Sequence, residues 1–355
     1  MTIAATALPS ERVLAQLGDT CSGRGLHDLA ARLHDLHAWI ADDLRDLEAD
    51  LARLDGGASI VHRSARHLLD LGGKHLRPMC VALAAKLGGG FGDAARELAV
   101  AVELIHSATL LHDDVVDLGD TRRGAPAART IYGNAASIFA GDWLLVQALQ
   151  AVQRAGVPGM LDRTLATIDE MIRAEAVQLE NRGRINGDRR DYFHVVEGKT
   201  AALFRWAMFG GGSAGGLDDR ACSALERFGL HLGIAFQTVD DALDFDGDTA
   251  VTGKALFTDL REGKMTYPLI VAVAREPGLV PVLEQILAGP EGEPPPEPLR
   301  RRVVDALRSS GGLEQCRALA RQHAAEAIAC LSSLPAGRGR DALATVAEAT
   351  VQRES

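Results

Sequence analysis

Apolar residues recur at intervals of three and four along most of the chain. From about Leu26 to Leu54 the stripe is Leu29, Leu33, Leu36, Ile40, Leu44, Leu47 and Leu51. That period places every member on one face of an α-helix. Similar segments follow, separated by short breaks at Gly56-Gly57, Gly72-Gly73, Gly88 to Gly92, Gly156 to Gly159, Gly210 to Gly216 and Gly289 to Pro298. Beyond the last break, Val303, Leu307, Leu313, Cys316, Leu319 and Ala320 resume the helical stripe. No stretch alternates with the two-residue period of a strand. The pattern predicts an all-α fold in a single domain spanning 1–355. Within it, residues 1–25, with scattered Pro, Ser and Gly, are expected to be loosely ordered. Residues 289–298 (GPEGEPPPEP) are expected to form an exposed loop.

Composition sharpens this picture. Hydrophobic residues make up 47% of the 355, enough for a large core, and aromatics only 4%. Recurrent alanine and leucine favour helices, in which they lose little side-chain freedom. A net charge of -10 argues against nucleic acid or an anionic membrane as the main partner. The five cysteines, Cys21, Cys80, Cys222, Cys316 and Cys330, form no CxxC pair and are odd in number, so they read as free thiols. The N-terminal residues lack a signal-peptide pattern, and no apolar run reaches the roughly 18–20 residues needed to span a bilayer. A cytoplasmic protein without stable membrane insertion is expected.

Two acidic clusters lie inside apolar helical segments. Asp113, Asp114 and Asp117 stand in VELIHSATLLHDDVVD, and Asp240, Asp241 and Asp244 in GLHLGIAFQTVDDALDF. In each, the first and last acids are four apart and share a helix face. A solvated surface would explain one such cluster, but these flanks are too apolar for a surface helix. Grouped carboxylates repel and take up protons unless a cation compensates. Oxygen-only ligands suit a hard cation, and magnesium binds through one or two carboxylates plus substrate phosphates.

Basic residues answer the acids. Lys74 and Arg77 stand in GGKHLRP at a predicted helix start, where free backbone N–H groups favour anions. Arg122 and Arg123 follow the first cluster; Lys199 and Thr200 stand in EGKTAALF; Lys254 and Lys264 follow the second cluster. Singly these would be ordinary surface cations. Together they suit two diphosphates, one held through metal and one held directly.

From about Gly72 to Ala272 the chain resembles the trans-prenyl diphosphate synthase (polyprenyl synthetase) family. Seven motifs appear in the family's order: GGKxxRP, LLHDDVVD, RRG, YGNAASIFAGD, GKT, FQxxDDxLD and DLREGKxTxPL. The resemblance implies an isoprenoid-synthase-like helical bundle around a central cavity, and a homodimer. It implies that Mg2+ is bound by Asp113, Asp117 and Asp240, with Asp114, Asp241 and Asp244 in support. Arg122, Lys199, Thr200, Gln237, Lys254 and Lys264 would complete the allylic diphosphate site. Lys74, Arg77, His106 and Arg123 would bind isopentenyl diphosphate. Ala108 and Thr109, five and four residues before the first aspartate, would line a product tunnel; both are small, which implies a product of C20 or longer. Trp143 or a residue near Met79 is a candidate floor. His75 stands where the family often has Arg, and Phe257 where many members have Gly. The implied reaction ionises the allylic diphosphate, condenses it with isopentenyl diphosphate and eliminates a proton. A class I terpene cyclase and a non-catalytic partner subunit are the alternatives. Against them stand the second DDxxD and the retention of both acid clusters.

Overall fold

The computed structural model describes residues 9–54, 57–185, 187–246, 257–289 and 295–353. The helices, in chain order, are α1 Pro9–Gly23, α2 His27–Ala52, α3 Ile60–Asp70, α4 Leu76–Ala85, α5 Asp93–Val116, α6 Ala128–Tyr132, α7 Asn134–Ala155, α8 Met160–Asn181 and α9 Arg189–Val195. There follow α10 Ala202–Ala214, α11 Asp219–Asp246, α12 Thr258–Arg261, α13 Tyr267–Arg275, α14 Val280–Leu287, α15 Glu297–Ser309, α16 Gly312–Cys330 and α17 Arg338–Thr350. Among the described residues the strand content is one two-residue antiparallel pair, Thr121–Arg122 with Ala125–Pro126.

The chain divides into two compact units, where the sequence pattern suggested one domain. The first comprises Met1–Ala166, Leu203–Gly229 and Cys330–Val346; the second comprises Thr167–Ala202, Leu230–Ala329 and Ala347–Ser355.

In the first unit, all seven apolar positions of the α2 stripe are buried. Each such side chain withdrawn from water contributes about 1.5–3 kcal/mol. The expectation of loose order over residues 1–25 is corrected for Pro9–Gly23, which form α1, while residues 1–8 lie outside the described residues. Leu14 and Cys21, seven apart, are buried on α1, which packs along α2. Proline at the first helical position removes an N–H that would be unsatisfied anyway.

The Gly210–Gly216 break is also revised, because Gly210, Gly211 and Gly212 lie inside α10. They are there for proximity. A Cβ on Gly211 would overlap the Val81 carbonyl of α4, and one on Gly215 would lie 2.6 Å from the Ala85 carbonyl oxygen. On α11, a Cβ on Gly229 would lie 2.5 Å from the Phe204 carbonyl oxygen.

Helix α7 packs on α5, with Ser137 Oγ donating to the Leu111 carbonyl at 3.0 Å. By length and composition alone α7 could cross a membrane, which corrects the expectation that no segment reaches that size. Asp142 and three glutamines within its span obscure the run in the sequence.

In the second unit, one core joins Phe245, Phe257, Leu269, Leu283, Val303 and Leu307, and another joins Tyr192, Val196, Ile234, Tyr267 and Cys316. Phe257 is an unusual choice, because its φ of 67° favours glycine. Burial of its ring, 5.3 Å from Phe245 and perpendicular to it, offsets that strain. The expected loop at 289–298 is shorter, since α15 begins at Glu297 and Pro295 is buried; residues 290–294 lie outside the described residues. All five cysteines are free.

Candidate active site

The first acid cluster ends α5. Asp113 and Asp117 are partly exposed, and the Asp117 N–H donates to the Asp113 carbonyl at 2.8 Å, closing the last turn. Asp114 points inward and is fully buried. Arg122 Nε donates to its Oδ1 at 2.9 Å and Nη2 contacts the same oxygen. Burial raises the Asp114 pKa, and Arg122 counters that push. Arg122, expected at the allylic diphosphate site, here holds the Asp114 carboxylate. Arg129 fixes the loop that follows, donating to the Gly119 carbonyl at 2.8 Å and to Asp120 at 2.8 Å.

The residues expected to bind isopentenyl diphosphate lie in the same unit. Lys74 is exposed just before α4, and His75 caps that helix in a left-handed conformation with φ 43°. The guanidinium of Arg77 stacks 4.7 Å over the Phe204 ring. Glu103, missed in the sequence, organises the group. Its carboxylate is buried, 3.1 Å from His75 Nδ1. A Cβ on Gly73 would meet both Glu103 Oε1 at 3.2 Å and Arg123 Nη2 at 3.0 Å, so this glycine leaves room for the two. Burial pushes the Glu103 carboxyl up, but His75, His106 and Arg123 more than offset it and hold it at about 2. Burial, and then the Arg77 charge, push His106 well below its ordinary range, so it serves as a neutral imidazole. The visible signal for Glu103 was a lone acid three residues before His106 in an apolar run.

Ala108 is fully buried, and Thr109 turns its hydroxyl back to the His106 carbonyl at 2.8 Å. Trp143 lines a cavity of about 470 Å³ with His62, Arg66, Leu69 and Tyr132, its ring 4.9 Å from that of His62. Met79 is buried in α4.

The second unit holds the other cluster. Asp241 is buried; it accepts from Tyr192 Oη at 2.7 Å, Gln237 Nε2 at 2.9 Å and the Tyr267 N–H at 3.3 Å. Thr200 Oγ1 donates to Gln237 Oε1 at 2.8 Å, which fixes the amide so that its NH2 faces Asp241. Burial and the nearby Asp259 raise Asp241 to about 7. Asp244 accepts from the Thr258 N–H at 3.1 Å, and burial followed by Asp259 raises it to about 8. Asp240, one third exposed, is paired with Arg353, whose Nη2 donates to Oδ1 at 2.7 Å.

Lys199 and Thr200 stand in a π-helical turn, Val196–Ala201. Such turns are costly and concentrate at functional sites. Gly198 permits it: a Cβ there would lie 2.6 Å from Ala174 Cβ on α8. Lys199 pairs with Glu175 of α8. Lys264 pairs with Glu262 at 2.6 Å, in a turn tied down by the Gly183 N–H to the Gly263 carbonyl at 2.9 Å. Lys254 lies outside the described residues. Glu175, Tyr192 and Arg353 had no signal in the sequence, being far from the groups they hold.

The chain resembles known proteins over most of its length. A family model described as polyprenyl synthetase matches residues 58–294. The octaprenyl diphosphate synthase of Escherichia coli is 34% identical over 324 residues, covering 91% of this chain and 99% of that one. Component 2 of the heptaprenyl diphosphate synthase of Geobacillus stearothermophilus is 32% identical, covering 89% of this chain and 97% of that one. The crystal structure of a polyprenyl synthase from Caulobacter crescentus, complexed with calcium and isoprenyl diphosphate, superposes with a TM-score of 0.84 at 35% identity, covering 90% of this chain and 97% of that one. On its motifs, its fold and these relatives, the chain belongs to the polyprenyl synthetase family, as a trans-prenyl diphosphate synthase.

Proposed function

We propose that the chain condenses isopentenyl diphosphate with an allylic diphosphate to give a linear all-trans polyprenyl diphosphate of C20 or longer. The observation that carries this is the sorting of acids within each cluster. Asp113, Asp117 and Asp240 remain partly exposed, while Asp114 and Asp241 are buried and held by Arg122, Tyr192 and Gln237.

The donor set fits Mg2+. Among the described residues, no three or more His, Cys, Asp or Glu groups close on one point as a complete metal cage. Two carboxylates one helical turn apart suit an ion that takes its remaining ligands from diphosphate and water. When bound, magnesium supplies electrostatic stabilisation to the departing diphosphate. Lys199, Thr200, Gln237, Lys254 and Lys264 add to the allylic diphosphate site, with Arg122 acting through Asp114. Lys74, Arg77, Arg123 and neutral His106 hold isopentenyl diphosphate, with Glu103 aligning the cations. No side-chain nucleophile is required, because the allylic carbocation is attacked by the alkene of isopentenyl diphosphate. The proton then leaves to the released diphosphate.

Asp113→Ala and Asp240→Ala should each cut turnover about 10²–10³-fold while leaving the far-UV spectrum near wild type. Near-normal turnover in both variants would refute the assignment of these residues.

Apolar side chains on the outer face of α7 support a homodimer: Phe139 is 59% exposed, with Ile138 and Val146 beside it. The relative named as a component 2 supports a second reading, in which that face takes a different subunit.

A further inference from the structure

Arg353 takes no part in the reading above, yet it holds one of that reading's metal ligands. It is 8% exposed and follows α17. Its Nη2 donates to Asp240 Oδ1 at 2.7 Å, and its guanidinium lies 3.9 Å over the ring of Phe236, one turn before Asp240 on α11. Its Nη1 is buried and, among the described residues, has no hydrogen-bond acceptor.

These facts constrain one another. A guanidinium and a divalent cation cannot both sit against one carboxylate oxygen without strong repulsion. A metal taking Asp240 Oδ1 must therefore shift Arg353. The stacked ring limits where the guanidinium can go. The orphan Nη1 is a donor pair already out of water and facing no acceptor, a cost that a bound oxyanion would remove. A planar fork with one amino group on a carboxylate and the other vacant suits a bridging diphosphate oxygen.

We infer that Arg353 is a diphosphate-binding residue with two partners: it neutralises Asp240 before metal arrives and donates to the metal-bound diphosphate afterwards. This rests on the reading of Asp240 as a metal ligand. The contact links the segment after α17 to the loading of the site. It makes metal alone a poor ligand, and metal with diphosphate a good one.

The test is calorimetric titration with Mn2+ and inorganic pyrophosphate. In Arg353→Gln, Mn2+ alone should bind about threefold or more tighter, because its competitor is gone. Pyrophosphate in the presence of Mn2+ should bind about tenfold weaker, because a charge-assisted donor is lost. Arg353→Lys should restore the wild-type affinity for Mn2+ alone and recover only part of the pyrophosphate affinity. Turnover should follow, with a raised KM for the allylic diphosphate and a smaller fall in kcat. A merely structural role would weaken both affinities together and lower the melting temperature, which would overturn the inference. So would unchanged affinities in Arg353→Gln while wild type binds pyrophosphate in a metal-dependent way. Wild type showing no metal-dependent pyrophosphate binding would refute the active-site reading itself, and this inference with it.

Discussion

Asp113 and Asp114 are adjacent in sequence and opposite in surroundings. One is partly exposed at the end of α5; the other is fully buried beneath Arg122. Burial thus sets two adjacent carboxylates apart, one open to solvent and one held by Arg122. Glu103 shows the same logic with the sign reversed. Its carboxyl is held at about 2, below the ordinary 4.5, and its neighbour His75 is raised above 6.5 despite burial, mainly by Glu103. A depressed carboxyl stabilises the fold above its unfolded pKa and loses that contribution as pH falls through the folded one. A raised histidine contributes below its unfolded pKa and loses it as pH rises through the folded one. The pair is therefore fully effective between about pH 4.5 and 6.5. Glu103→Gln should cost on the order of 3 kcal/mol in that window, with a smaller loss at pH 3 and above the folded pKa of His75. It should also raise the KM for isopentenyl diphosphate. A stability difference independent of pH would show that the charge of Glu103 is not what matters. Residue types were legible in the sequence here, since acids and cations appear in their motifs. Their partners were not: Tyr192 lies 49 positions from Asp241, and Arg353 lies 113 from Asp240.

At the scale of elements, the helices were read from period, and α2 matches its predicted buried stripe at every position. The errors had a common origin in glycine and proline, whose meaning depends on what lies opposite. Gly210 to Gly212 looked like a break and are instead where α10 touches α4 and other buried neighbours. Pro9 looked like disorder and instead starts α1. The π-helical turn carrying Lys199 and Thr200 had no periodic signature, because it depends on Gly198 fitting against α8. Helix α5 carries the first acids at its end and buried Ala108 five residues before Asp113. If the growing chain runs along this helix, Ala108→Phe should shorten the product by at least one five-carbon unit, as measured by chromatography of the dephosphorylated prenols. An unchanged product distribution with a folded variant would refute a tunnel passing Ala108. Because Ala108 is fully buried, a fall in stability should accompany the change, about 1–3 kcal/mol for overpacking.

At the scale of the molecule, the sequence announced an all-α protein but not its division into two units, since helical period is silent on which helices pack together. The first unit contains the first acid cluster with Lys74, Arg77, His106 and Arg123; the second contains the other acid cluster, Lys199 and Lys264. The exposed apolar face of α7 should be covered in solution, so sedimentation equilibrium should give twice the 37.7 kDa chain mass. A monomer at micromolar concentration would contradict that and favour the different-subunit reading. The most direct test of the central claim is product analysis of the purified protein supplied with isopentenyl diphosphate and dimethylallyl, geranyl, farnesyl or geranylgeranyl diphosphate, with and without magnesium. Linear all-trans products of C20 or longer that appear only with magnesium are the predicted result. Folded protein that elongates none of these primers would contradict it.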